Sequence, residues 1–303
     1  MIIDFHTHAF PNALAGRAIE KLAASARAKN YLDGTAEALS RSTKDAGIDY
    51  SVLLPVVTRP DQQENINRIA MDINEHSDET GLLSFGGIHP DNTDYPRILR
   101  GLAENGIKGI KLHPVFHRTY LDDIRYLRLI HCACENNLII LIHAGYDIGY
   151  PGMDYSTVPH ILSMLDEVKP RKLVLAHMGG WGYWDEVERH IVGRDVWLDT
   201  AFSLLPVLPA PGTRRSPEEN PPLSRAQFLR MVRRHGTDRI LFGTDSPWDG
   251  QKETIAALKA MALPDNALAD SASPDGRLTT DELSGILGNN AAKLLRLQVS
   301  RPQ

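Results

Sequence analysis

Eight short runs rich in β-branched residues or leucine punctuate the chain, at 2–6, 50–56, 83–89, 107–113, 138–143, 172–177, 196–200 and 239–245. Several, such as Leu138-Ile139-Ile140-Leu141-Ile142, are apolar at odd and even positions alike. A strand of that kind is covered on both faces, which suits a parallel sheet and excludes a half-solvated antiparallel one. Between the runs the apolar spacing changes to three or four residues. Asp122-Asp123 caps a helix carrying Ile124, Leu127, Ile130 and Cys134 that ends at Asn136-Asn137; Ser224 opens another carrying Phe228, Met231 and Val232, with Gly236 past its end. Strand and helix alternating eight times predict an α/β fold, the (β/α)8 TIM barrel, whose active sites form at the carboxyl ends of the strands.

Two connections are too long for turns. Residues 9–34 carry a basic, Ala-rich helix from Leu14 to Lys29, and residues 201–225 carry Pro206, Pro209, Pro211, Pro217, Pro221 and Pro222. Both leave the predicted catalytic end, so they read as covers. Thr279 and Glu282 fit a capping box, and Asn290 caps a final helix through Leu294 and Leu297. The stretch Asp265 to Arg277 reads as a surface loop, and the last residues as a fraying end.

The length of 303 residues, 42% hydrophobic and 23% charged, suits one barrel domain over 1–303. A net charge of −5 with no basic face argues against nucleic acid and for a small-molecule partner. No apolar run reaches the roughly 18 residues of a membrane span, and no signal peptide is evident, so the expected location is the cytoplasm. Cys132 and Cys134, two apart on a helix, point to different sides and read as buried hydrophobes.

The chemistry lies at the strand ends. The first run reads Asp4-Phe5-His6-Thr7-His8, and strand alternation puts Asp4, His6 and His8 on one face. Later runs end at His89, His113, His143, His177 and Asp245. A barrel gathers such ends, whereas scattered core histidines have no reason to collect there. A first-row ion such as Zn²⁺ takes about four N or O donors, and His6, His8, His143 and Asp245 supply that set. His117, His131, His160, His190 and His235 fall in loops or helices and read as solvated or structural.

In its ordered motifs the chain resembles amidohydrolase family 2 of the amidohydrolase superfamily, barrel enzymes that include hydrolases and metal-dependent decarboxylases. The motifs are Asp4-Phe5-His6-Thr7-His8, Gly109-Ile110-Lys111-Leu112-His113-Pro114, Ile142-His143-Ala144-Gly145, Ala176-His177-Met178-Gly179-Gly180, Arg239 through Pro247, and Ile286 through Ala291. The resemblance implies that His6, His8 and His143 bind one divalent ion, commonly zinc, with Asp245 binding or beside it, and that His177 is catalytic. Asp245 would then take a proton from water and pass it to the leaving group, while His177 steadies negative charge on the reacting carbonyl. Some superfamily members bridge two ions with a carbamylated lysine on strand four, which leaves a second ion open at Lys111. One ion is favoured because His113, not Lys111, holds the strand-end position; Lys111 would otherwise pair with Asp4 or bind a substrate carboxylate.

Lys111, His113, His89, Arg59 and Trp248 are the candidate substrate-binding residues. Arg59 and Arg118 follow strand ends, where a guanidinium grips a carboxylate with two prongs. Phe10, Phe116, Trp181, Tyr183, Trp184, Phe202 and Trp248 offer flat apolar walls, with lid packing as the alternative. The expected activity is hydrolysis of a C–O or C–N bond in an ester, lactone or amide. The alternative is non-oxidative decarboxylation of an aromatic or unsaturated acid, and a homodimer is the default assembly.

Overall fold

The computed structural model describes residues 1–216, 219–263 and 276–297. The predicted loop Asp265–Arg277 as far as residue 275, Pro217 and the final residues lie outside them. The described residues hold nine strands, with helices between all but the third and fourth: β1 Ile3–Thr7, β2 Tyr50–Leu53, β3 Leu82–Ser84, β4 Gly86–Gly87, β5 Gly109–Leu112, β6 Ile139–Ile142, β7 Leu173–Leu175, β8 Trp197–Asp199 and β9 Ile240–Leu241. Each predicted run overlaps a strand, and the third is divided into β3 and β4.

The chain forms two compact units, one of Met1–Ser51, Val192–Arg194 and Asp199–Gln303, the other of Val52–Ile191 and Asp195–Leu198. In the second unit the order is β4-β5-β6-β7-β8, every pair parallel. Gly109 to Leu112 and Ile139 to Ile142 are buried at every position, as strands covered on both faces must be. The break at Phe85 has its cause in two side chains of a preceding helix. On the helix Gln63–Glu75, the Asn74 amide accepts from Ser84 N–H and donates to its carbonyl, and Asn67 does the same for Gly87. Side-chain amides here take the place of a neighbouring strand's backbone.

In the first unit β1 lies along the segment after β9. Phe5 N–H donates to Phe242 O at 2.8 Å, Asp245 N–H to His6 O at 2.8 Å and His8 N–H to Ser246 O at 2.7 Å. Ile3, Phe5, Phe228, Met231 and Phe242 are fully buried in this unit. The helix Asn12–Ala26 occupies most of the predicted 14–29 and ends where Arg27 turns left-handed. The two long connections pair with each other: Lys29 N–H donates to Leu208 O and Ala210 N–H to Arg27 O. Ser224, Asp123 and the Thr279–Glu282 capping box terminate helices as expected. Asn290 does not cap. A π turn, 285–289, continues the helix from Thr280–Ser284 straight into Asn290–Leu295, so no helix end exists there, and the Asn290 amide instead donates to Thr237 O and Ile240 O. No helix among the described residues is long and apolar enough to cross a membrane.

Candidate metal centre

The backbone bonds between β1 and the 242–246 segment carry Asp245 to the carboxyl end of β1. There Asp245 Oδ1 lies 3.3 Å from His6 Nε2 and 3.1 Å from His8 Nε2. Donors held about 2.0–2.2 Å from one tetrahedral ion stand about 3.4 Å apart, so this spacing fits a shared cation closely. The His6 and His8 rings meet edge to face at 73°, with centroids 5.1 Å apart, and both turn Nε2 toward the same oxygen. Asp245 holds this place in a left-handed conformation, φ +66°, which a non-glycine residue adopts at some cost and which concentrates at functional sites. His6 is fully buried, and its other nitrogen, Nδ1, lies 2.9 Å from Asp199 Oδ2.

Beneath His6, Asp4 is fully buried. Its Oδ1 accepts from the backbone N–H of Thr244 and of His6, and its Oδ2 accepts from Thr244 Oγ1 at 2.6 Å and Gln251 Nε2 at 2.9 Å. Burial pushes the carboxyl up to about 7 against the lowering pull of Thr244 and Gln251. Donors of its own unit take up the acceptor capacity of this carboxylate.

His143, the fourth expected ligand, belongs to the second unit. Its Nδ1 is 3.0 Å from His177 Nε2, and its ring stacks on His113 at 4.2 Å and 14°. His113 Nε2 lies 3.7 Å from Asp147 Oδ2, so His113, His143 and Asp147 form a second group with metal-ligating atoms close together. Near-parallel rings, however, set their in-plane lone pairs side by side, where those of His6 and His8 converge. His177 and Met178 are both left-handed, φ +59° and +53°, and the Trp184 indole donates to His177 O. Gly145 is required in this loop: its φ is +90°, and a Cβ there would stand 2.3 Å from Trp181 N.

The expected substrate-binding residues have varied settings. Lys111 is buried in β5. His89 Nδ1 accepts from Asp91 N–H, and burial lowers its pKa. Trp248 is half-buried, its backbone N–H donating to Asp245 O. Arg59 is exposed, and its guanidinium forks onto Asp61 with two bonds of 3.0 Å.

His117 is structural, as expected. Nε2–H donates to Val57 O at 2.7 Å, and Nδ1 accepts from the Tyr126 hydroxyl. Burial, with His89 beside it, holds its pKa at about 4. The unfolded chain therefore binds this proton near pH 6.5 while the folded one refuses it until about 4, so stability falls as pH drops through that window. About 3 kcal/mol rides on this histidine. Urea unfolding between pH 7 and 4 should lose much of that acid slope in the variant His117→Gln.

Sequence reasoning overlooked Asp199 and Asp147. Asp199 is the last residue but one of the predicted run 196–200 and the last of the observed strand, so a search for carboxylates within a residue of the strand ends would have found it. Asp147 sits in a loop, where only the fold reveals it.

The family model for Amidohydrolase (Amidohydro_2) matches residues 3–297. The chain belongs to the amidohydrolase family. No curated protein matches it in sequence. Among solved structures, an uncharacterised TIM-barrel protein from Bordetella bronchiseptica aligns with TM-score 0.67 at 18% identity, covering 97% of this chain and 98% of that one. A 5-carboxyvanillate decarboxylase from Novosphingobium aromaticivorans, with bound manganese and a nitrobenzoic acid, aligns with TM-score 0.64 at 14% identity over 98% and 97%. A protein described as a 2-pyrone-4,6-dicarboxylic acid hydrolase from Pseudomonas putida aligns with TM-score 0.62 at 16% identity over 99% and 98%. This amidohydrolase thus has a TIM-barrel fold, shared with structures described as a decarboxylase and as a hydrolase.

Proposed function

We propose that this amidohydrolase hydrolyses a C–O or C–N bond, in an ester, lactone or amide of a small carboxylated or aromatic molecule, with one divalent ion, zinc, held by His6, His8 and Asp245. The observation that carries the reading is the approach of two Nε2 atoms to a single Asp245 oxygen within 3.3 Å. A bound divalent ion lowers the pKa of its water to about 7 and polarises a carbonyl oxygen. The rest is the work of the chain. His6 and His8 fix the position of the reacting centre from a buried strand end. Asp245 accepts the proton of the attacking water and delivers it to the leaving alkoxide or amine. Its two oxygens divide these duties, Oδ1 toward the imidazoles and Oδ2 as base.

Decarboxylation of an aromatic or unsaturated acid is the second reading, favoured by the likeness to the manganese-bound 5-carboxyvanillate decarboxylase. The test is a panel of lactones, esters, amides and aromatic or unsaturated carboxylic acids, assayed with the full chain loaded with zinc or with manganese. Acid production that chelation abolishes is expected. Release of CO₂ with no hydrolysis on any member would replace the first reading by the second.

A further inference from the structure

His6 presents two ring nitrogens to two carboxylates, Nε2 to Asp245 and Nδ1 to Asp199. A neutral imidazole carries one proton, and which nitrogen holds it decides whether Nε2 has a lone pair to give. An ionised carboxylate only accepts, and Asp199 Oδ2, 2.9 Å from Nδ1, is closer than Asp245 Oδ1, 3.3 Å from Nε2, so the proton of the neutral ring rests on Nδ1. The orientation of Asp199 is itself fixed, because its Oδ1 accepts from Ala201 N–H at 3.1 Å. Both His6 and Asp199 are fully buried, where water cannot substitute for either partner.

We propose that Asp199 is a positioning residue for the metal centre, locking His6 in the Nδ1–H form and strengthening Nε2 as a donor. The inference rests on the metal site proposed above. Ligating histidines commonly hand their second N–H to a carboxylate, and loss of that partner weakens metal affinity by 10- to 100-fold. A purely structural hydrogen bond would explain the same contact, but the two roles rank substitutions in opposite order. In Asp199→Asn the amide oxygen stays with Ala201 N–H, which requires an acceptor, and the NH₂ then turns toward His6. A donor facing Nδ1 moves the ring proton to Nε2, where it opposes the ion. Asp199→Ala leaves Nδ1 undirected. A structural contact makes the isosteric Asn the milder change; a tautomer lock makes it the harsher one.

The experiment measures zinc affinity of the full chain by competition with a chromophoric chelator, alongside the His6 tautomer of metal-free protein from long-range ¹H–¹⁵N spectra. Expected are a zinc Kd weakened about 10-fold in Asp199→Ala and about 100-fold in Asp199→Asn, with His6 passing from Nδ1–H in the unaltered protein to Nε2–H in Asp199→Asn. Should a variant fail to fold, the spectrum of the unaltered protein decides, and Nε2–H there overturns the inference. An Asp199→Asn affinity equal to the unaltered one, or a smaller loss than in Asp199→Ala, overturns it too. In those cases zinc still binds, and is lost in His8→Gln, so the metal centre stands. A chain that binds neither zinc nor manganese overturns both.

Discussion

Replacing Asp245 with Asn should slow turnover of the best substrate from the panel about 1,000-fold while leaving the protein folded. Asn is the informative substitution. It tolerates the left-handed backbone at φ +66°, which Ala resists, so the comparison does not mix catalysis with strain. It also keeps an oxygen to face His6 Nε2 and His8 Nε2, and at saturating zinc the ion should remain at a weakened affinity. What the amide lacks is basicity. A thousandfold loss is about 4 kcal/mol of barrier, within the range that removing a positioned general base produces. The measurement pairs kcat/KM with elemental analysis of the same sample. A variant that retains its zinc and loses less than about tenfold in rate would show that Asp245 is a ligand only, with the base elsewhere.

The amino-acid pattern carried the pairing at the heart of the site. Asp4-Phe5-His6-Thr7-His8 reads as a strand with its polar face in register, and Arg239 through Asp245 as a strand ending in a carboxylate; the backbone bonds from Phe5, His8 and Asp245 join the two. Full burial of Ile139 to Ile142 was equally legible, since nothing but a two-sided cover makes both parities apolar. Features set by contacts distant in sequence were not. Asn67 and Asn74 divide the third strand through side-chain amides, and no local pattern distinguishes them from surface asparagines. Asn290 looks like a cap until the preceding π turn removes the helix end it would cap. Arg59 looks like a carboxylate clamp, yet the carboxylate its fork meets is Asp61, two residues on. The role of Asp199 depends on a partner 193 residues away.

Asp4 sets the stability of this arrangement, and Asp4→Ala should lower the unfolding free energy by about 4 kcal/mol in urea titrations. The carboxylate accepts four hydrogen bonds, and truncation strands the Thr244 N–H, the Thr244 hydroxyl and the Gln251 amide without water to replace it. Each buried donor left unsatisfied costs about 1–3 kcal/mol, and relaxation of the Thr244 hydroxyl recovers part of the sum. Asp4→Asn should cost far less, about 1–2 kcal/mol, because the site can rearrange. Gln251 Oε1 is buried with no hydrogen-bond partner, and a flip of that amide would offer it to the new NH₂ group. Ser51 Oγ, which now accepts from Gln251 Nε2, would turn its hydroxyl to donate instead, a rotation open to any serine. Equal losses in the two variants would mean that Gln251 cannot turn and that the β1 end is held rigidly from below, a condition that would also fix His6 two residues further along the strand.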